Sequence, residues 1–447
     1  MGDQGKHRYA IIVLALLLLG GTYFLPLPLP REAQATIAIT VFAMVLWIFE
    51  VLPLYITALA VAVLLILLGG FPAEKVFAQF FDRVVVLVLG GFVIAVAMHK
   101  HKLDEYLAYK LLGKFNVSSK MLLLGMIFVT AFLSMWMSNS AAAAIAMPIA
   151  LIVLAKNKMR PLKSNFGKSM VLAVAYGATI GGIGTLIGST PNVMTQKFLT
   201  ENGLQFGFLD WLIRGFPFMV VMIIICWILL FLFFIPEKKK VKMIKHPHPF
   251  TASQKKVAAI LAGTIILWMT ENVHGIHNSV VALIPVVLLY VLNLLDAQDF
   301  GKIDWGSLVL IGGGIALGMA IDVSGLDDVF SSGLHSALLG NSYFVILLAL
   351  AGTGILMTSF LSNTAASAVL VPVITVLAAT LGLNETNVVV VAAMGVSLDF
   401  IFPMGTPPSA LAYATRYITI KDMMKAGLLL SILGAFVLAG IAYFTWI

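Results

Sequence analysis

Uninterrupted apolar runs, following one another along nearly the whole chain, decide what this sequence can become. An α-helix needs about 20 mostly apolar residues to cross a hydrocarbon layer roughly 30 Å thick. Within that layer every backbone N–H and C=O must find an internal partner. Continuous runs fit helices; barrel strands alternate apolar and polar residues instead. The runs leave the chain 61% hydrophobic and 11% charged over 447 residues, against about 25% charged in a soluble domain. The reading is an all-α polytopic protein in a lipid bilayer. The same balance excludes a soluble enzyme, a disordered chain and a disulfide scaffold. The one cysteine, Cys226, lies in the run CWILLFLFF and has no partner to bridge. The net charge of +8 reads as basic loops beside a membrane and not as a nucleic-acid surface.

Apolar segments are expected at 9–25, 33–52, 54–70, 84–99, 120–137, 141–155, 169–187, 191–200, 216–235, 257–270, 279–294, 306–321, 342–360, 365–381, 386–402, 407–417 and 424–446. The first also has a signal-like setting, with Ala33-Gln34-Ala35 behind it, but Pro26, Pro28 and Pro30 in between argue against cleavage. Several segments are too short to cross alone, and these come in pairs hinged at polar or Gly/Pro-rich points. Let the N-terminus be cytoplasmic, let 120–155 enter and return from inside, and let 342–381 do so from outside. Then 23 of the 28 Lys and Arg fall inside, as the positive-inside rule requires. The result is about eleven transmembrane helices plus two re-entrant hairpins. The loop from Glu237 through Lys256, with His246-Pro247-His248-Pro249, reads as a solvated linker; a metal site on its two histidines is the alternative.

The chain matches itself. Residues 86–92 (VLVLGGF) parallel 308–314 (LVLIGGG) at an offset of 222, and Ser138-Asn139-Ser140 with Pro148 parallels Ser362-Asn363-Thr364 with Pro372 at 224. Gly188-Ser189-Thr190-Pro191-Asn192 parallels Gly405-Thr406-Pro407-Pro408-Ser409 at 217. Under the topology above the two repeats are inverted in the membrane. Inverted repeats with broken helices are the architecture of secondary transporters. The expected layout is N-terminal helices over 1–70, a first repeat over 71–235, a linker over 236–256, linking helices over 257–295 and a second repeat over 296–447.

The broken points carry chemistry. Ser and Asn favour helix N-caps, so a half-helix can start after Ser138-Asn139-Ser140 and again after Ser362-Asn363-Thr364, each before a run of small residues. A helix start offers free N–H groups and a positive dipole end, which suit an anion. The Asn amide adds NH₂ donors, and its oxygen can ligate a cation. Gly181-Gly182-Ile183-Gly184 before Thr190-Pro191, and Gly405 before Pro407-Pro408, permit unwound backbone, and proline restarts a helix without losing a useful donor. Carbonyls exposed there suit Na⁺. No Arg or Lys lies in these motifs, so a bound carboxylate would be held by neutral donors, dipoles and co-bound cations.

On these motifs, and on Trp268-Met269-Thr270-Glu271 and Trp305-Gly306, the chain resembles the divalent anion/sodium symporters, which include bacterial dicarboxylate and citrate carriers and INDY-type transporters. The resemblance implies a homodimer in which a mobile domain carries the site across the membrane. It implies substrate contacts from Asn139, Ser140, Thr190, Pro191, Asn363, Thr364, Pro407 and Pro408. It implies two Na⁺ sites, one from Ser138, Asn139, Gly182 and Gly184, the other from Ser362, Asn363 and Gly405. Three departures stand out: Ser140 replaces Thr, Ser409 and Thr190 replace the family's usual Asn and Pro, and Asp399 stands where a small neutral residue is expected. A carboxylate inside a span needs a cavity, a partner or a proton. Asp399 could ligate a cation, carry a coupled proton, or pair with a basic group.

The function expected is secondary transport of di- or tricarboxylates of the succinate, malate and 2-oxoglutarate class across the plasma (inner) membrane, with Na⁺ as coupling ion. Exchange of one carboxylate for another without Na⁺ is the alternative. A membrane enzyme or an anion channel is more remote, because no His-Glu-x-x-His and no Asp-rich metal motif lies on a span.

Overall fold

The computed structural model describes residues 2–115, 118–241, 249–326 and 340–446. The described residues form helices, 3₁₀ turns and connections, with no strand. Seven of their helices are long and apolar enough to cross a membrane by length and composition, and shorter apolar helices accompany them. His246 and His248, the loop histidines considered for a metal, lie outside the described residues.

Helices sit where the runs predict, with ends set by capping. Ser118, Ser138, Ser164 and Thr251 each accept a hydrogen bond from a backbone N–H in the first turn that follows, satisfying donors a helix start leaves free. Four short or polar helices fall outside the expected spans: Ala73–Ala78, Leu103–Lys114, Glu271–His274 and Ala297–Phe300. Their sequences are too charged or too short to register as apolar runs.

The chain divides into two compact units. One comprises Met1–Val85, Met194–Gln205 and Asp304–Val396. In it, helix Trp305–Val323 packs against Leu54–Leu67 and Asn363–Thr380. Gly313 makes this possible: a Cβ there would stand 2.5 Å from that of Ala58. The arms Tyr343–Thr358 and Asn363–Thr380 enclose the second tip, and both pack on Glu385–Val396.

The other unit comprises Val86–Val193, Phe206–Ile303 and Ser397–Ile447. Its centre is helix Asn165–Ile183, buried almost throughout. Around it pack Ser119–Ser134, Asn139–Lys156, Phe208–Phe233 and Pro407–Ala414. The first tip, the first break and the residues of the second break from Ser397 onward all belong to this unit.

One span differs in a way that matters. The run 386–402 was expected to be a single helix, but helix Glu385–Val396 ends six residues early. Residues 397–406 are non-helical until Pro407–Ala414 begins. Asp399 therefore lies in a break and not on a helix.

Candidate functional site

At the first tip, Ser138 caps the arm Asn139–Lys156 by accepting from Ala141 N–H at 3.3 Å. Asn139 is the first helical residue. Its Oδ1 accepts a hydrogen bond from the buried Ser134 hydroxyl at 2.7 Å. That bond orients the amide, so Nδ2 is the donor left for an anion while Oδ1 keeps a second lone pair. Ser140 is exposed beside it. The second tip repeats the arrangement in its own unit. Ser362 accepts from Ala365 N–H at 3.3 Å, and the buried Thr358 hydroxyl donates to Asn363 Oδ1 at 2.5 Å. Thr364 is half-buried next to it.

Ser134 and Thr358 were missed in the sequence. The signal was there: both stand five residues before the Asn, and 134 and 358 share the offset of 224 that relates the tips.

The first break lies against the first tip. The Asn139 side chain rests on Gly182, where any Cβ would collide with its Oδ1. The end of helix Asn165–Ile183 is closed by internal donors. Gly181 C=O accepts from Gly184 N–H at 3.0 Å, Gly182 C=O from Asn192 Nδ2 at 2.7 Å, and Ile183 C=O from Trp211 Nε1 at 2.8 Å. Each carbonyl keeps a second lone pair. Thr185 ties the break to the hairpin by donating to Met135 C=O at 2.5 Å, and Asn192 Nδ2 also donates to Thr185 C=O at 2.7 Å. Thr190 is half-buried and Pro191 buried, both in the first turn of Thr190–Glu201.

The second break is held by neighbours in its unit. Ser431 Oγ donates to Leu398 C=O at 2.7 Å, Gly427 admits Phe400 C=O, and Tyr176 packs edge-on against Phe400 at 5.3 Å. Asp399 is fully buried. The backbone N–H of Ile401 lies beside its carboxylate, but neither oxygen is hydrogen-bonded among the described residues. Gly405 approaches so closely that a Cβ there would overlap Asp399 Oδ2. Thr406 caps helix Pro407–Ala414 by accepting from Ser409 N–H at 3.3 Å.

The expected site residues thus fall into two groups. Ser138, Asn139, Ser140, Gly182, Gly184, Thr190, Pro191, Asp399, Gly405, Pro407 and Pro408 are in one unit, and Ser362, Asn363 and Thr364 in the other. What the two tips share is chemistry: a capped helix start and an Asn amide whose oxygen is held by a buried hydroxyl.

A family profile for the sodium:sulfate symporter transmembrane region matches residues 6–447. A transporter of Methanocaldococcus jannaschii is 37% identical over 414 residues, covering 90% of this chain and 91% of that one. The sodium-dependent dicarboxylate transporter SdcS of Staphylococcus aureus is 29% identical over 465 residues, covering 96% and 89%. The crystal structure of the Alcanivorax borkumensis YdaH transporter superposes with a TM-score of 0.61 at 14% identity, covering 93% of this chain and 99% of that one. At that identity the likeness is one of fold.

Proposed function

The chain belongs to the sodium:sulfate symporter family, and from that membership we propose that it is a Na⁺-coupled transporter of small dicarboxylates. The observation that carries the reading is the doubled tip, in which a buried hydroxyl fixes each Asn amide as a donor. Asn139 with Ser140 and Asn363 with Thr364 are the proposed substrate ligands, helped by the turns at Thr190-Pro191 and Pro407-Pro408. The neutral donors at both tips and the name of the SdcS relative support a small di- or tricarboxylate as the substrate class. The donor set within one unit suits Na⁺: Ser138, Asn139, Gly182 and Gly184 for the first ion, with Gly405 at the second break and Ser362 and Asn363 at the second tip as the further candidates. All offer oxygen, and Gly182 C=O, which accepts from Asn192 Nδ2, keeps a second lone pair.

The proposed topology places the N-terminus in the cytoplasm of a plasma-membrane protein, with inverted repeats over 71–235 and 296–447. Pairs within each unit support it. Lys100 binds Asp296 at 2.8 Å and Asp299 at 2.5 Å, and Lys168 binds Asp422 at 2.9 Å, with every partner assigned inside. Lys197 binds Asp82 at 2.7 Å, both assigned outside. Elevator-type movement and a homodimer complete the proposal, as the family resemblance implies.

The test is a thermal-shift panel of four- to six-carbon mono-, di- and tricarboxylates on the purified protein, with Na⁺ or choline. Dicarboxylates should stabilise most, and only with Na⁺. Equal stabilisation in choline would favour exchange, and no stabilisation by any carboxylate would refute the substrate class.

A further inference from the structure

The two breaks can be compared position by position, because they repeat the same backbone hydrogen bond. Gly188 N–H donates to Thr185 C=O at 3.2 Å, and at the 217 offset Gly405 N–H donates to Phe402 C=O at 3.3 Å. The offset pairs Gly182 with Asp399, Gly188 with Gly405, and Asn192 with Ser409. The same close approach recurs in both breaks. In the first, a Cβ on Gly188 would stand 2.6 Å from Gly182 C=O, while in the second the atom facing Gly405 is the Asp399 carboxylate.

The polar balance differs sharply. In the first break the oxygen is a neutral carbonyl, and Asn192 Nδ2 donates to it. In the second a carboxyl side chain stands in the carbonyl's place and the Asn donor is gone. Ser409 has no amide, and its Oγ accepts from Thr406 Oγ1 at 2.9 Å. The helix that starts here supplies little else. Pro407 and Pro408 occupy its first positions and carry no N–H, and Ser409 N–H is already taken by Thr406. Asp399 forms no ion pair among the described residues. Buried polar atoms ordinarily have partners, and a buried carboxylate with no counter-charge, and only the Ile401 N–H beside it, calls for a positive ligand.

We propose that Asp399 is a charged ligand of a monovalent cation bound at the second break, and that this break, unlike the first, neutralises its own cation without help from the substrate. Gly405 is required because the carboxylate fills the space a side chain would take. The inference deepens the proposed function and rests on it only for the identity of the ion, Na⁺. It has a direct consequence: the cation should bind here with no carboxylate substrate present.

The experiment is a Na⁺ titration of the purified protein without carboxylate, ionic strength held with choline chloride, read by thermal stability and by Na⁺-minus-choline infrared difference spectra. Na⁺ should stabilise the native chain and perturb a carboxylate stretch. Asp399→Asn should raise the half-saturating Na⁺ at least ~10-fold, since cation affinity follows the charge count of the ligands. Asp399→Gly combined with Ser409→Asn, which copies the neutral first break, should fold and lose the carboxylate band. Folded variants that titrate like the native chain would overturn the proposal. So would a native difference spectrum without a carboxylate band, a result that needs no variant to fold. A normal Na⁺ response in a protein that moves no dicarboxylate would support the site while refuting the transport reading.

Discussion

The Ser134 hydroxyl is not itself a proposed contact of the substrate, yet removing it should weaken dicarboxylate binding. It is buried and donates to Asn139 Oδ1 at 2.7 Å. In Ser134→Ala that bond is lost and the amide can turn its oxygen toward the tip, where it would repel a carboxylate. A neutral hydrogen bond contributes about 0.5–1.5 kcal/mol net. At 1.4 kcal/mol per decade, the loss should be about 2- to 12-fold in dissociation constant. The assay is competition binding of a labelled dicarboxylate to purified Ser134→Ala, Asn139→Ala and the double variant at saturating Na⁺. If Ser134 acts by orienting Asn139, its substitution is silent once Asn139 is alanine, within the ~0.3–0.5 kcal/mol scatter of independent sites. Thr358→Val against Asn363→Ala should behave alike, because Thr358 makes the same bond. An equal loss in both backgrounds would mean that Ser134 acts through general packing, and the orientation argument would fail.

Asn139→Ala and Asn363→Ala should each weaken dicarboxylate binding by about 10- to 150-fold, given about 1.5–3 kcal/mol for a hydrogen bond to a charged group. Thr364→Ser should lose less, and monocarboxylates should be affected less than dicarboxylates; unchanged affinity in both folded Asn variants would make the tips packing devices. Gly182→Ala should copy Asn139→Ala although Asn139 is intact, because its Cβ collides with that amide; native affinity would show that the amide need not lie over residue 182. Beside helix Ala297–Phe300, Asp299 is buried and bound by Lys100 and Lys302. Burial alone would raise its pKa, but the two lysines and the Asp296 N–H outweigh this and hold it below the ordinary value. A depressed folded pKa gives stability that is complete above the unfolded value of about 3.9 and drains away as pH falls. Melting temperature should therefore drop as pH falls below about 5, and Asp299→Asn should flatten that slope while costing about 1–3 kcal/mol at neutral pH.

Much of this was legible because hydropathy and capping are local. The runs located the long helices, and Ser138 and Ser362 marked the starts of the arms. The end of helix Glu385–Val396 was not legible. Leu398, Phe400, Ile401 and Phe402 are as apolar as the helix before them, and what holds the break is tertiary: the Ser431 bond to Leu398 C=O and the room left by Gly427. Helix Phe208–Phe233 begins eight residues before the expected 216, because Asp210 and Arg214 read as loop charges. Asp210 in fact closes the helix start by accepting from Gly207 N–H at 2.8 Å. Trp211, which satisfies Ile183 C=O at the first break, could not be placed without the fold. Asp399 stands out of pattern in the sequence, but the neutral carbonyl of Gly182 that occupies the matching place in the first break is visible only in the fold.

Coupling of Na⁺ to dicarboxylate movement can be read from uptake by the reconstituted protein. Purified protein in liposomes is given labelled succinate outside, with Na⁺ or choline outside and with or without unlabelled dicarboxylate inside. Inward Na⁺ should drive accumulation in empty vesicles, with little uptake in choline whatever the vesicles contain. Uptake that ignores Na⁺ and requires internal dicarboxylate would contradict Na⁺ coupling and make the protein an exchanger.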